Sequence, residues 1–216
     1  MDEEKRDVPE TQVQEGDAKK PIKKRALKEI REWVVSLAVA LLVVFVLRSF
    51  VFTIIRVDGA SMQPTLLNNE RLFVTVFDTK IWGPDRGDIV ICNYPGRYTT
   101  HVLGIKTKTY FVKRVVAVAG DTVSRADGIT YVTYGDTGET VDLDAEFQGR
   151  YRGNDYSYTL AEGEYFVVGD NRGNSHDSRD WNDSDASEDV GPITSDMIVG
   201  HVRTVIWPVS EIRGVD

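Results

Sequence analysis

Three separated stretches carry the residues whose types could do chemistry: a serine turn, a lysine in an apolar strand, and a polar loop. The first is Val57-Asp-Gly-Ala-Ser-Met-Gln-Pro-Thr-Leu66. Gly59 and Ala60 leave the backbone beside the Ser61 hydroxyl uncrowded, so another chain can approach closely. Pro64 turns Gln63 away from helical geometry, which makes this a set turn. A serine in such a turn is ordinarily a cap or turn residue. What changes that reading is Thr109-Tyr-Phe-Val-Lys-Arg-Val-Val116, an apolar strand with two adjacent bases. Neighbours in a strand point to opposite faces, so Lys113 shares its face with Phe111 and Val115 while Arg114 faces the other way. A lysine of pKa ~10.4 is neutral in only about one molecule in a thousand near pH 7.4. Burial lowers that value by ~3–5 units, enough to make Lys113 a general base, whereas a guanidinium stays charged and cannot serve.

The third stretch is Gly169-Asp-Asn-Arg-Gly-Asn-Ser-His-Asp-Ser-Arg179. It is dense in turn formers and side-chain hydrogen bonders. As a calcium loop it fails, because Arg172 stands where an oxygen ligand is needed, and Asp185 replaces the turn glycine of the acidic run that follows. His101 and His176 have no partners at zinc spacing. No metal and no cofactor is expected.

Stepping outward, the positioning elements are an apolar helix and a set of short strands. Trp33 to Leu47 is apolar except for Ser36, and with the mostly apolar Ser49–Ile55 the stretch reaches 23 residues, against the ~20 a bilayer requires. A cleaved leader is the rival. Against it, Ala38-Val-Ala40 lies inside the apolar core, and Arg-Ser-Phe after Leu47 offers no small-residue cleavage site. Residues 18–32 carry seven bases and two acids, which keeps the N-terminal side cytoplasmic and sends the rest outward. The expectation is a disordered cytoplasmic tail over 1–31 with this basic cluster, a transmembrane anchor over 32–56, and an extracytoplasmic domain over 57–216. Arg48 sits near one end, where a guanidinium can reach the interface.

Beyond the anchor, strands are expected at 71–77, 89–93, 110–119, 164–168 and 197–207, with 94–107 a loop. Residues 122–163 form an inserted small β subregion, and 180–189 a solvated acidic loop. No convincing second helix appears, so the outer domain is read as all-β. From residue 49 onward there are 16 bases and 25 acids, a net −9, which argues against nucleic acid as a partner. Cys92 is the single cysteine, in a strand-like apolar run, so no intramolecular disulfide exists and a buried thiol is expected.

In this order, the stretches resemble bacterial type I signal peptidases. The resemblance is carried by the anchor, Ser61-Met-x-Pro-Thr-Leu66, Arg86-Gly-Asp-Ile-Val90, Phe111-Val-Lys-Arg-Val115 with Gly120-Asp121, and Gly169-Asp-Asn-Arg172 with Ser175-x-Asp-Ser-Arg179. It implies a signal-peptidase-like β-fold and a membrane-bound serine endopeptidase that cuts exported preproteins after small residues. It also implies Ser61 as nucleophile, Lys113 as base, Ser175 as the hydroxyl orienting the lysine, and Asp177 with Arg179 as a supporting ion pair. Two other readings compete. A self-cleaving repressor with the same dyad is opposed by the anchor, and a non-catalytic adaptor by the presence of both Ser61 and Lys113. Lys113 also separates the chain from the eukaryotic-type relatives, which carry histidine there. Three departures stand out. Gly59 replaces a serine that assists the oxyanion in some members, leaving the Ser61 N–H and a Gly59-region amide or water as donors. Ala119 stands where proline is common, and the acidic run after Arg179 is long.

Overall fold

A computed structural model describes residues 22–94, 97–100, 106–145, 154–180 and 190–215 of the 216 in the chain. The chain divides into two units, Met1–Phe45 and Val46–Asp216. In the first, helix α1 (Ile22–Phe50) runs well before the apolar stretch begins, so Ile22–Arg31, expected as part of a disordered tail, are helical. Residues 1–21, with the start of the basic cluster, lie outside the described residues. Apolar side chains from Leu27 to Val46 are exposed all round, Trp33 by 78% and Val46 by 44%. Among the described residues no helix is long and apolar enough to cross a membrane. Lys28, Glu29, Arg31 and Glu32 precede the apolar run in the described part of α1.

The anchor expected over 32–56 is also too long at its far end. Val51 ends the helical path, and β1 (Phe52–Arg56) pairs in full register with β2 (Arg71–Thr75), Phe52 against Thr75 and Arg56 against Arg71. The run Phe-Thr-Ile-Ile-Arg is β-branched and aromatic, and a neighbouring strand satisfies its backbone. After β2, the short helix α2 (Phe77–Trp82) is the second helix that hydropathy alone did not disclose. Six residues are too few to show a helical period.

Strands β3 (Ile89–Cys92), β4 (Tyr98–Thr100), β5 (Lys106–Lys108) and β6 (Phe111–Ala117) follow. The β4–β5 hairpin falls in the stretch expected as loop, held by Thr99 against Thr107. Next come β7 (Thr122–Ala126), β8 (Ile129–Thr133), β9 (Thr140–Asp142), β10 (Tyr156–Thr159) and β11 (Glu164–Val168). The chain then adds β12 (Ile193–Thr194), β13 (Ile198–Trp207) and β14 (Arg213–Gly214). The main sheet has eight strands in the order β1-β2-β13-β3-β6-β11-β12, with β14 alongside β13. Strands β7 to β10 build a separate four-stranded sheet, in the order β10-β7-β8-β9. The acidic residues 181–189 lie outside the described residues.

Why β3 is apolar at every position follows from its place mid-sheet. Its alternate residues serve two cores: Ile89 and Ile91 join Val57, Met62, Leu66, Leu72, Val74 and Val202 on one face. Val90 and Cys92 join Tyr94, Val115 and Val167 on the other. Cys92 is buried as expected, and burial pushes its thiol up to about 12. A third cluster joins the small sheet to β6 and β11 through Val123, Val132, Ala117, Phe166 and Val168. Arg86 reinforces that junction, its guanidinium bonding Asp121 at 2.6 and 2.7 Å and lying 4.5 Å over the Tyr134 ring.

The sheet closes tightest at Gly200 in β13. A Cβ there would sit 2.5 Å from the Thr75 carbonyl oxygen and 2.8 Å from Val74 Cγ1. Gly200→Ala therefore forces β13 away from β2 and should cost about 1–3 kcal/mol of stability. Denaturant unfolding of the full chain in detergent checks it; an unchanged midpoint would contradict the packing.

Candidate active site

Ser61 lies in the loop that joins β1 to β2, so the sheet edge itself sets its position. The Val57 N–H donates to the Glu70 carbonyl at 2.8 Å and the Asn69 N–H to the Val57 carbonyl at 3.0 Å, closing the loop at its base. Met62 and Leu66, 2% and 0% exposed, drop into the core between them. Lys113 comes from β6, paired with Val90 of β3 and next to β11 on its other side. Ser175, Asp177 and Arg179 come from the turn that leaves β11.

The structure brings these elements together around one amine. Lys113 Nζ is 3.0 Å from Ser61 Oγ and 3.1 Å from Ser175 Oγ. The Lys113 side chain is 2% exposed. Burial lowers its pKa from the ordinary 10.5; the Asp177 carboxylate pulls the other way, and Arg179 adds to the lowering. As an ammonium, Nζ donates to both hydroxyls. As an amine it presents a lone pair, and the Ser61 hydroxyl donates to it across the same 3.0 Å.

Asp177 is wholly buried, and burial alone would raise its pKa. The Arg179 guanidinium, the Gly169 N–H and the Ser175 hydroxyl outweigh that and hold it below the usual carboxylate value. Arg179 Nε and Nη2 each donate to Asp177 at 2.9 Å, while Nη1 donates to Asp144 at 2.8 Å. Ser175 therefore gives its proton to Asp177, which turns its lone pairs toward the lysine.

Comparison with known proteins gives the family. A family model described as "Signal peptidase, peptidase S26" matches residues 30–207. The chain belongs to that family. It is similar to "Signal peptidase I P" of Bacillus subtilis subsp. natto, 32% identical over 199 residues, covering 88% of this chain and 96% of that one. It is also similar to "Signal peptidase I T" of Bacillus subtilis (strain 168), 35% identical over 187 residues, with 84% and 88% coverage. "Signal peptidase IB" of Staphylococcus aureus (strain COL) is 32% identical over 200 residues, with 86% and 94% coverage.

Several residues that sequence reasoning did not single out hold the serine loop. Asn171 donates from Nδ2 to the Ala60 carbonyl at 3.1 Å and from its backbone to the Ser61 carbonyl at 3.0 Å. A trans peptide sets N–H opposite C=O, so the Ala60 bond turns the Ser61 N–H outward. Thr65 donates to Asp170 at 2.6 Å, and Asp170 accepts two bonds from Arg114 at 2.8 and 2.9 Å. Arg114, barred from acting as a base, thus ties the loop to β6 from the opposite face. Gly169 has no room for a side chain: a Cβ would meet Ser175 Oγ at 2.2 Å and the Ser61 carbonyl at 2.5 Å. These residues stand inside the quoted motifs, whereas Asp144, in the turn after β9, carries no sequence signal.

The Gly59 N–H donates to Asn68 Oδ1 at 3.1 Å, so this amide of the oxyanion region is engaged within the loop. The Ser61 N–H has no acceptor among the described residues. Gly59 has φ +111°, a backbone that side chains rarely adopt, although nothing lies within 4 Å of a Cβ there. Gly59→Ser should thus strain the turn and leave kcat unchanged or lower. A tenfold rise, worth ~1.4 kcal/mol at the transition state, would show that a side-chain donor was missing.

The lowered Lys113 pKa also has a sign. Only the amine can take the Ser61 proton, so activity should rise with pH through the lowered value and vanish below it. Lys113→Arg should be inactive at every pH, by roughly a thousandfold or more, because its guanidinium stays protonated. A pH–rate profile checks both; an Arg variant with measurable turnover would remove Lys113 from the role of base.

Proposed function

We propose that this chain is a membrane-anchored serine endopeptidase that removes signal peptides from exported preproteins, with Ser61 as nucleophile and Lys113 as general base. The observation that carries it is the buried Lys113 amine 3.0 Å from Ser61 Oγ, within reach for proton transfer. Neutral Lys113 takes the Ser61 proton as Oγ attacks the carbonyl carbon after a small residue. The Ser61 N–H donates to the developing oxyanion. The resulting ammonium gives its proton to the departing amine of the mature protein, leaving an ester on Ser61. Lys113, neutral again, deprotonates the water that hydrolyses the ester, and the returning proton restores Ser61. Ser175 keeps the amine aimed throughout, and the Asp177–Arg179 pair keeps Ser175 aimed.

Two features support the substrate class. A cavity of about 90 Å³ beside Ser61 is lined by Ile55, Gly59, Met62, Tyr110 and Val112 among others, which suits an alanine-sized side chain. Among the described residues strand β1 pairs only with β2, so its outer edge can receive an extended peptide as an added strand. The anchor reading rests on the sequence, where Trp33 to Leu47 is apolar except for Ser36 and the mostly apolar run continues to Ile55. The seven bases among residues 18–32 favour a cytoplasmic N-terminal side and an extracytoplasmic catalytic domain. Ser61 follows Phe50 by so few residues that the nucleophile works close to the lipid surface, where a tethered preprotein presents its cleavage site.

The test is cleavage of a purified preprotein by the full chain in detergent. Wild type should release the mature protein, and Ser61→Ala, Lys113→Ala and the double variant should be equally inactive, since parts of one unit are non-additive. A leucine in place of alanine before the cut should abolish processing. Protease added to spheroplasts should degrade the β-domain and spare an N-terminal tag. Turnover by Ser61→Ala contradicts the chemistry; a protected β-domain contradicts the orientation.

A further inference from the structure

The serine loop is held on one side by Asn171, Asp170 and Arg114, all from elements that also carry the site. On its other side, it is held from a part of the chain with no share in the chemistry. Strand β14 lies on β13, with Arg213 opposite Val205. Arg213 Nη1 donates to Glu70 Oε1 at 2.7 Å and Nη2 to Glu70 Oε2 at 3.1 Å. Nη2 also donates to the Thr65 carbonyl at 2.8 Å, four residues beyond the nucleophile. Glu70 is itself part of the loop's closure: its Oε2 accepts the Leu67 N–H at 2.8 Å, and its carbonyl accepts the Val57 N–H at 2.8 Å. The Glu70 side chain is 3% exposed, so without the guanidinium a carboxylate would be stranded under the loop. Val215, two residues on, is 6% exposed and packs in the same cluster as Val57, Met62 and Leu66.

We infer that Arg213 is a positioning residue for Ser61, clamping the second half of the nucleophile loop to the sheet through Glu70 and the Thr65 carbonyl. It touches neither substrate nor Lys113, and acts only by fixing where the loop lies. A planar fork suits this place because it binds both carboxylate oxygens and still reaches a carbonyl, which a lysine cannot do at once. Loosening the loop misplaces Oγ relative to the Lys113 amine, and a displacement near 1 Å costs about a hundredfold in rate. The inference rests on Ser61 being the nucleophile.

The experiment uses the full chain in detergent and two readouts, steady-state cleavage of a preprotein and amide hydrogen exchange. Arg213→Gln should lower kcat by about ten- to a hundredfold with KM changed by less than about threefold. The Leu67 and Asn69 amides should exchange at least about tenfold faster, while the β2 amides of Leu72 and Val74 stay as in wild type. Adding Glu70→Gln to Arg213→Gln should recover part of kcat, because no carboxylate is then stranded, and Arg213→Lys should fall between wild type and Arg213→Gln. Unchanged kcat in Arg213→Gln overturns the clamp. So does faster exchange spread through β2, which would mark a general loss of stability. Local exchange acceleration in Arg213→Gln alongside a Ser61→Ala enzyme that still cleaves would support the clamp and retire Ser61 as nucleophile.

Discussion

An ammonium is stable in water and costly where water is excluded, and that cost is what the catalytic domain is arranged around. Lys113 sits mid-strand at 2% exposure between two neighbouring strands, with valines before and after it on β6. The interior weakens its hold on the proton, and the same interior makes every nearby charge count for more. The Asp177 carboxylate, left bare, would return the proton to the lysine. Arg179 offsets part of that pull by taking two bonds to Asp177 and one to Asp144, and burial of the amine outweighs the rest. Asp177 thus orients Ser175 while the lysine's pKa stays lowered.

The serine faces a different problem: a loop of small and polar residues must hold one hydroxyl still. Hydrogen bonds to the loop's own carbonyls do this. Ala60 and Ser61 are held by Asn171, Thr65 by Arg213, and Val57 by Asn69 at the loop's base. Apolar Met62 and Leu66 supply the burial that the polar contacts cannot. Because Asn171 and Ser175 come from one turn after β11, movement of that turn shifts nucleophile and lysine partner together. Gly169, with no space for a Cβ between Ser175 and the Ser61 carbonyl, lets the turn approach this closely.

The chemistry was legible in the sequence wherever a residue's type decides what it can do. Alternation in β6 separated Lys113 from Arg114, and only the lysine can lose its proton, whereas the roles read for Ser61, Ser175, Asp177 and Arg179 came from the family resemblance. Strands β6 and β13 were placed to within a few residues. Local reasoning failed where tertiary pairing decided the outcome. Apolar Phe52–Arg56 reads equally as the end of a span or as an edge strand, and only pairing with β2 distinguishes them. Helix α2 is too short to carry a period, and the β4–β5 hairpin is too polar to carry an apolar one. Asp144 lies 35 residues from Arg179, in the turn after β9, and its role exists only in three dimensions. The bond from the Gly59 amide to Asn68, nine residues away, carries no sequence signal either.

The central claim is that the interior keeps Lys113 from holding its proton, and it can be measured without any substrate. The full chain, labelled with ¹³C at lysine Cε, is titrated by nuclear magnetic resonance, with the Lys113 signal assigned by its loss in Lys113→Arg. The Lys113 resonance should titrate below the ordinary 10.5. A Lys113 resonance that titrates at or above 10.5 would contradict it.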